Sequence, residues 1–173
     1  MLRGDKVGLR TLEQNEDIER IIDGRSDRKV MGEFCPPQLV KKSDIHDRKF
    51  TQYVIFTLDR PEEVVGEISH SRLESNHPIF ELGFWIFPEF RRNGYCTEAI
   101  HIVLDYLFVL VDTKRIQCQT HVENIPSINL ITKVGFQNEG TLRQYTFLNG
   151  QWADTLMFSI LRTEWRSPKY LKV

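Results

Sequence analysis

Seven residues, Arg91-Arg92-Asn93-Gly94-Tyr95-Cys96-Thr97, constrain this chain more than any others. They follow an apolar run, Glu81-Leu82-Gly83-Phe84-Trp85-Ile86-Phe87, and precede a long apolar stretch from Ala99 to Val111. The order predicts a strand, a basic turn containing glycine, and a helix start. Free backbone N–H groups at a helix N-terminus point outward, and the helix dipole favours an anion there. Gly94 lets the backbone approach a ligand closely, and the two arginines add positive charge. The turn lacks the Lys-Ser/Thr of a Walker loop and the full Gly-x-Gly-x-x-Gly fingerprint, which argues against a nucleotide-binding module of those classes.

The 173 residues suffice for one domain with a sizeable core and are too few for two ordinary ones. A formal net charge of −1 argues against nucleic acid as the main partner. No apolar stretch reads as a bilayer span, no signal-peptide pattern opens the chain, and no membrane partner is expected. The three cysteines, Cys35, Cys96 and Cys118, are odd in number and widely spaced. They suggest neither a disulfide framework nor a zinc site, so a reduced, cytoplasmic protein without metal is expected.

Lys6 to Leu12 reads as a strand and Glu13 to Asp23 as a short helix with acidic residues at its start. Arg25 to Glu33 is ambiguous, and a polar helix is expected from about Gln38 to Phe50. Gln52 to Leu58, Val64 to Arg72 and Ile79 to Phe87 read as strands. Thr97 to Val111 is the clearest helix: Glu98, His101, Asp105 and Asp112 fall on one polar stripe, and the apolar remainder should cover a sheet. Arg115 to Val122 is the next strand. Pro126 suits the first turn of a short helix that Gly135 stops. Asn149-Gly150 between Thr141–Leu148 and Gln151–Leu161 predicts a hairpin. The pattern is α+β: a mixed sheet with helices on its faces.

Three segments together resemble the GNAT superfamily of acyl-CoA-dependent N-acyltransferases: Glu81 to Ala99, Glu123 to Phe136 (Glu-Asn-Ile-Pro-Ser-Ile-Asn-Leu-Ile-Thr-Lys-Val-Gly-Phe), and Gly140 to Asp154 with its Asn-Gly turn. Their order and spacing resemble the RimJ/RimL-like, ribosomal-protein branch. The resemblance is best supported from Val64 to Trp165 and implies one GNAT domain over 1–173. It implies a twisted, mostly antiparallel sheet of about seven strands, splayed at the CoA site and flanked by about four helices. It implies acetyl-CoA as cofactor, with the pyrophosphate on the N–H groups of Arg92 to Thr97 and the pantetheine arm along the strand ending at Phe87. The acceptor would be an amine, on a protein N-terminus or a small molecule, and a homodimer is expected. A binding module without catalysis is the alternative.

The chemistry is attack of a neutral amine on a thioester, which needs a base, a polarised carbonyl and a proton for the departing thiolate. Glu81 is the base candidate on the resemblance; a strand-edge carboxylate with a structural partner is the other reading. Glu67 reads as solvated or as a contact to the acceptor. His70 and His77 read as ordinary histidines before proton relays. The family's frequent helix tyrosine is replaced by Ile131, so Ser127 becomes the acid candidate, against an ordinary helix-terminus role. Asn124 would bond the pantetheine amide or cap its helix. Cys96 stands where the family carries Gly or Ala; a buried filler is the simpler reading and a reactive thiol the other. Lys133 reads as an exposed helix lysine before a phosphate contact. Tyr145 would line the acceptor cleft or pack on the sheet.

Overall fold

The computed structural model describes residues 1–35, 41, 50–73 and 77–171. The polar helix expected from Gln38 to Phe50 lies almost wholly outside them. Eight strands form one sheet: β1 (Leu2–Arg3), β2 (Val7–Thr11), β3 (Phe50–Thr57), β4 (Val64–Arg72), β5 (Ile79–Ile86), β6 (Arg115–His121), β7 (Gln137–Leu148) and β8 (Gln151–Leu161). The order across the sheet is β1-β2-β3-β4-β5-β6-β8-β7. The strand beyond the expected seven is β1, whose two residues pair with Gly8 and Leu9. Two residues are too few for any periodic signal.

Every neighbouring pair is antiparallel except β5 with β6. That pair is parallel because a helix crosses over between its strands, as parallel neighbours require. The crossover is α3 (Tyr95–Leu110); α1 (Asn15–Ser26) and α2 (Arg28–Met31) connect β2 to β3, and α4 (Ile125–Val134) connects β6 to β7.

Alternation along the strands sorts the two faces. Phe80, Leu82, Ile86, Ile116, Cys118, Phe158 and Ile160 join the main core with α3, whose Ile100, Ile102, Val103, Leu104, Leu107 and Phe108 are all at most 1% exposed. Burying each such side chain is worth about 1.5–3 kcal/mol. Val54, Val64 and Phe87 pack on the opposite face with Ile18 and Ile21 of α1. Glu67, Glu81, Trp85, Gln117, Gln119 and His121 alternate with the core-facing residues, so they turn toward the α1 side.

Glu98 and Asp105 of the α3 stripe do not face water, whereas His101 is half-buried and Asp112, past the end of α3, is exposed. Glu98 is buried and its Oε1 accepts from the backbone N–H of Lys6 (2.7 Å) and Val7 (3.0 Å). Buried Asp105 accepts through Oδ2 from the N–H groups of Lys169, Tyr170 and Leu171 at 2.7, 2.7 and 3.3 Å. The stripe therefore ties both ends of the chain to the central helix. Buried carboxylates persist because charged acceptors bond several donors at once.

At the turn of the hairpin, Asn149 (φ 52°) and Gly150 (φ 82°) both adopt positive φ, as a two-residue primed turn requires. Gly135 caps α4 in the left-handed region, as its position predicted.

Candidate active site at the splay of the sheet

The parallel ladder between β5 and β6 holds for three residues only: Ile79, Phe80 and Glu81 opposite Arg115, Ile116 and Gln117. Beyond that point β5 continues to pair with β4 and β6 with β8, but not with each other. The two strands diverge, and the facing edges of Leu82–Ile86 and Cys118–His121 present backbone N–H and C=O groups without a ladder partner. An extended ligand carrying amide groups can pair with such edges. Both following helices, α3 and α4, begin from the C-terminal ends of the diverging strands. Their N-termini thus flank one opening, where open sheets commonly bind ligands.

Gly94 is the N-cap of α3, in the left-handed region at φ 82°, and provides no side-chain cap. The first helical bond runs from Glu98 N to Gly94 O. The N–H groups of Tyr95, Cys96 and Thr97 precede it and belong to the unsatisfied first turn of a 16-residue helix. Arg92, also at positive φ (69°), bends the approach to the turn. The cradle fits a diphosphate: a built Cβ at Gly94 meets only Lys6 Nζ within 4 Å, at 3.9 Å, so the space before the helix is open.

Arg91 does something other than add charge to the cradle. Its Nε donates to Ile86 O (3.0 Å) and its Nη2 to Val30 O (2.5 Å), tying the turn to the end of β5 and to α2. Lys6, which carried no signal in the sequence, donates to Asn93 O at 3.4 Å and brings its ammonium to the turn. Asn93 braces the same turn through Nδ2 to Phe90 O and Arg91 O. Phe87 points into the α1-side core, edge-on to Trp85 and under the Arg20 guanidinium. Its backbone, not its ring, is left for a ligand. Cys96 is half-buried at the start of α3, and burial pushes its thiol up to about 12, which disfavours the thiolate. A surface depression of about 360 Å³ lined by Asp5, Lys6, Leu58, Asp59, Asn93 and Tyr95 adjoins the turn but does not reach Glu81.

Glu81 occupies the last step of the ladder, at the vertex of the splay. It is half-buried, and burial raises its carboxyl above the ordinary range. Gln119, on the far strand, donates through Nε2 to Glu81 Oε1 at 3.2 Å and so spans the opening. The sequence alone offered no pointer to Gln119, although two-residue alternation from Gln117 puts it on Glu81's side once the register is known.

Glu67 is not solvated. It is 2% exposed, Arg25 of α1 grips it through Nε (2.9 Å) and Nη2, and Trp85 Nε1 donates to Oε2 at 2.9 Å. With both oxygens engaged, it anchors α1 to β4 and β5. His70 is buried among Tyr53, Phe80 and Tyr106, and burial lowers its pKa to about 4. It is a neutral core histidine, in keeping with the simpler expectation.

Ser127 lies in the first turn of α4, partly exposed, with its N–H donating to Asn124 Oδ1 at 3.3 Å. Asn124 therefore caps the helix through its oxygen, and its NH2 is left for a ligand. Tyr145 is 55% exposed on β7, two strands beyond β6, and the sheet does not bring it beside Glu81.

Among the described residues no helix is long and apolar enough to cross a membrane. Residues 6–137 match the acetyltransferase (GNAT) domain model. The chain is 39% identical over 101 residues to the uncharacterized N-acetyltransferase YoaA of Bacillus subtilis, a match covering 58% of this chain and 57% of that protein. It is 26% identical to the spermidine N(1)-acetyltransferase of Vibrio cholerae over 92% of this chain and 95% of that one. The crystal structure of that enzyme with CoA and spermine superposes with a TM-score of 0.79, covering 91% of this chain and 96% of that one at 24% identity. The ribosomal-protein-serine acetyltransferase of Escherichia coli is 24% identical over 66% of this chain and 63% of that protein, a relative of the kind the RimJ/RimL-like resemblance implies. With the matched region running from β2 through the cradle and α4 to the start of β7, this chain belongs to the GNAT acetyltransferase domain family.

Proposed function

We propose that the protein transfers an acetyl group from acetyl-CoA to a primary amine by direct attack in a ternary complex. The observation that carries this reading is Glu81: a carboxyl with a raised pKa at the vertex of the splay, held by Gln119 across the opening. The first-turn N–H groups of α3 and the Arg92–Gly94 turn would hold the diphosphate. The facing edges of β5 and β6, with the Asn124 NH2, would hold the pantetheine amides. Acetyl-CoA supplies a thioester whose carbonyl takes the amine and whose sulfur leaves as thiolate.

Glu81 receives the amine's proton, directly or through water; a carboxylate with a raised pKa is a better base than a free one. A backbone N–H on the edge of β5 just past Glu81 polarises the carbonyl. Ser127, at the start of α4, supplies the proton for the leaving sulfur. Glu67 supports the acceptor side through Arg25 and Trp85 instead of touching the amine, and Tyr145 belongs to its outer rim. The acceptor is either a protein N-terminus or a small-molecule amine, and the spermidine and ribosomal-protein relatives bracket that range.

A homodimer through the β7–β8 hairpin is part of the same reading. Phe147 and Trp152, 57% and 62% exposed, meet edge to face on an edge of the sheet. A monomeric mass in light scattering would remove it. A cytoplasmic setting goes with the three free cysteines.

The deciding experiment is an amine panel with acetyl-CoA, read by release of free CoA and by product mass. Glu81→Gln should lower kcat by about 100-fold or more with CoA affinity unchanged, and Ser127→Ala should lower kcat with little change in KM. Tight CoA binding without turnover of any amine would identify a binding module in place of an enzyme.

A further inference from the structure

Lys6 lies in the turn between β1 and β2, which Gly4 N closes onto Val7 O at 2.9 Å. Both of its backbone groups are engaged. Its N–H donates to Glu98 Oε1 at 2.7 Å, with Val7 N on the same oxygen at 3.0 Å, and its carbonyl accepts from Leu58 N at 2.9 Å. Glu98 belongs to the first turn of α3, so the helix that presents the cradle also fixes where the lysine side chain starts. The two segments are in close contact: a Cβ built on Gly4 would collide with the Glu98 carboxylate. From this base the Lys6 ammonium reaches Asn93 O at 3.4 Å, and a Cβ built on Gly94 would lie 3.9 Å from Nζ.

Among the described residues Asn93 O is the only hydrogen-bond partner of this ammonium, a neutral acceptor at long range, and no carboxylate pairs with it. An ammonium carries three donors, so two remain for a ligand. Asp5 and Asp59 line the depression beside it, so an anion is favoured only at the edge where Lys6 meets the Gly94 turn. We infer that Lys6 is a donor-binding residue, whose ammonium contacts the diphosphate of acetyl-CoA beside the first-turn N–H groups of α3. The inference rests on the proposed acetyl-CoA reading of the cradle. The N–H groups orient the anion and carry partial charge, whereas Lys6 adds a full charge whose place follows α3 through Glu98. Arg91, although next to the turn in sequence, directs its guanidinium to Ile86 O and Val30 O instead.

The test measures Kd by calorimetry for CoA and for dephospho-CoA, which keeps the diphosphate and lacks the 3′-phosphate, in wild type, Lys6→Met, Lys6→Gln and Lys6→Arg. Lys6→Met and Lys6→Gln should both weaken CoA about five- to tenfold at low salt, and Lys6→Arg should stay near wild type. The loss should be equal with dephospho-CoA and should shrink in about 1 M KCl, where an exposed charge is screened. Native affinity in Lys6→Gln, which keeps a neutral donor for Asn93 O, would overturn the proposal and leave Lys6 a brace of the turn. Unchanged affinity in Lys6→Met would overturn it outright. A loss with CoA that dephospho-CoA does not share would move the contact to the 3′-phosphate and overturn the diphosphate assignment. Failure of wild type to bind CoA would instead overturn the acetyl-CoA reading, and the Lys6 contact with it. CoA binding by wild type without turnover of any amine would remove the enzyme reading, while the Kd series would still decide for or against Lys6.

Discussion

Gln119 Nε2 donates to Glu81 Oε1 at 3.2 Å across the point where β5 and β6 part. One strand holds the carboxylate and the other orients it. The bond favours the charged carboxylate, while burial opposes it and raises the pKa.

Replacing Gln119 by Leu removes the donor and leaves the burial. The Glu81 pKa should rise further, so the acid limb of the kcat profile should move to higher pH. The base form exists only above that pKa, so turnover near neutrality should fall while turnover at high pH recovers. A pH–rate profile of Gln119→Leu checks this; an unmoved acid limb would mean that another group sets it.

Gly94→Val forces a β-branched residue into φ 82°. The strain should cost about 1–2 kcal/mol of stability. The larger effect should be on the cradle, whose N–H groups lose their alignment. Calorimetry should show CoA affinity falling by about tenfold or more. Native affinity in a folded Gly94→Val protein would exclude the turn as the phosphate site.

Arg25→Met leaves the Glu67 carboxylate buried with Trp85 Nε1 as its remaining partner. Denaturant titration should show a loss of about 3–5 kcal/mol, most of it recovered in the Arg25→Met/Glu67→Met double variant. Equal losses in the single and double variants would mean that the pair is not coupled.

His70 titrates near 4 in the fold because burial penalises its charged form, against about 6.5 when unfolded. Between those values the unfolded chain binds a proton that the native chain does not, so stability falls as pH drops from about 6.5 toward 4. The contribution is on the order of a few kcal/mol. Unfolding midpoints at several pH values should show a shallower acid slope in His70→Phe than in wild type; equal slopes would assign the acid sensitivity elsewhere.

The strongest local signals were legible before any fold was known. The Arg91–Thr97 turn, Val64–Arg72, Gln151–Leu161, the Pro126 start and Gly135 stop of α4, and the Asn149-Gly150 hairpin all stand where their residues predicted. Each rests on backbone preference or short-range periodicity, which a few consecutive residues determine. The parallel pairing that stops at Glu81 could not be read this way. Register between β5 and β6 depends on how α3 packs, not on either strand alone.

Charged side chains were hardest to assign, because their roles depend on partners far along the chain. Glu67 read as solvated or as a contact to the acceptor until Arg25, 42 residues away, came against it. The α3 stripe read as merely polar until Lys6, 92 residues from Glu98, and Lys169, 64 residues from Asp105, supplied N–H donors. Asn124 matched both a ligand role and a cap, and the geometry of its own first turn takes its oxygen for the cap.

By itself the sequence determined the order of the main strands and helices from Val7 onward, the Asn149-Gly150 hairpin and the glycine turn before α3, since these follow from periodicity and local φ preference. Only the tertiary structure decided that Glu81 stands at the parting of two strands, that Gln119 holds it, and that Phe34 stacks on His121. Those are distances between residues far apart in the chain, and packing alone sets them.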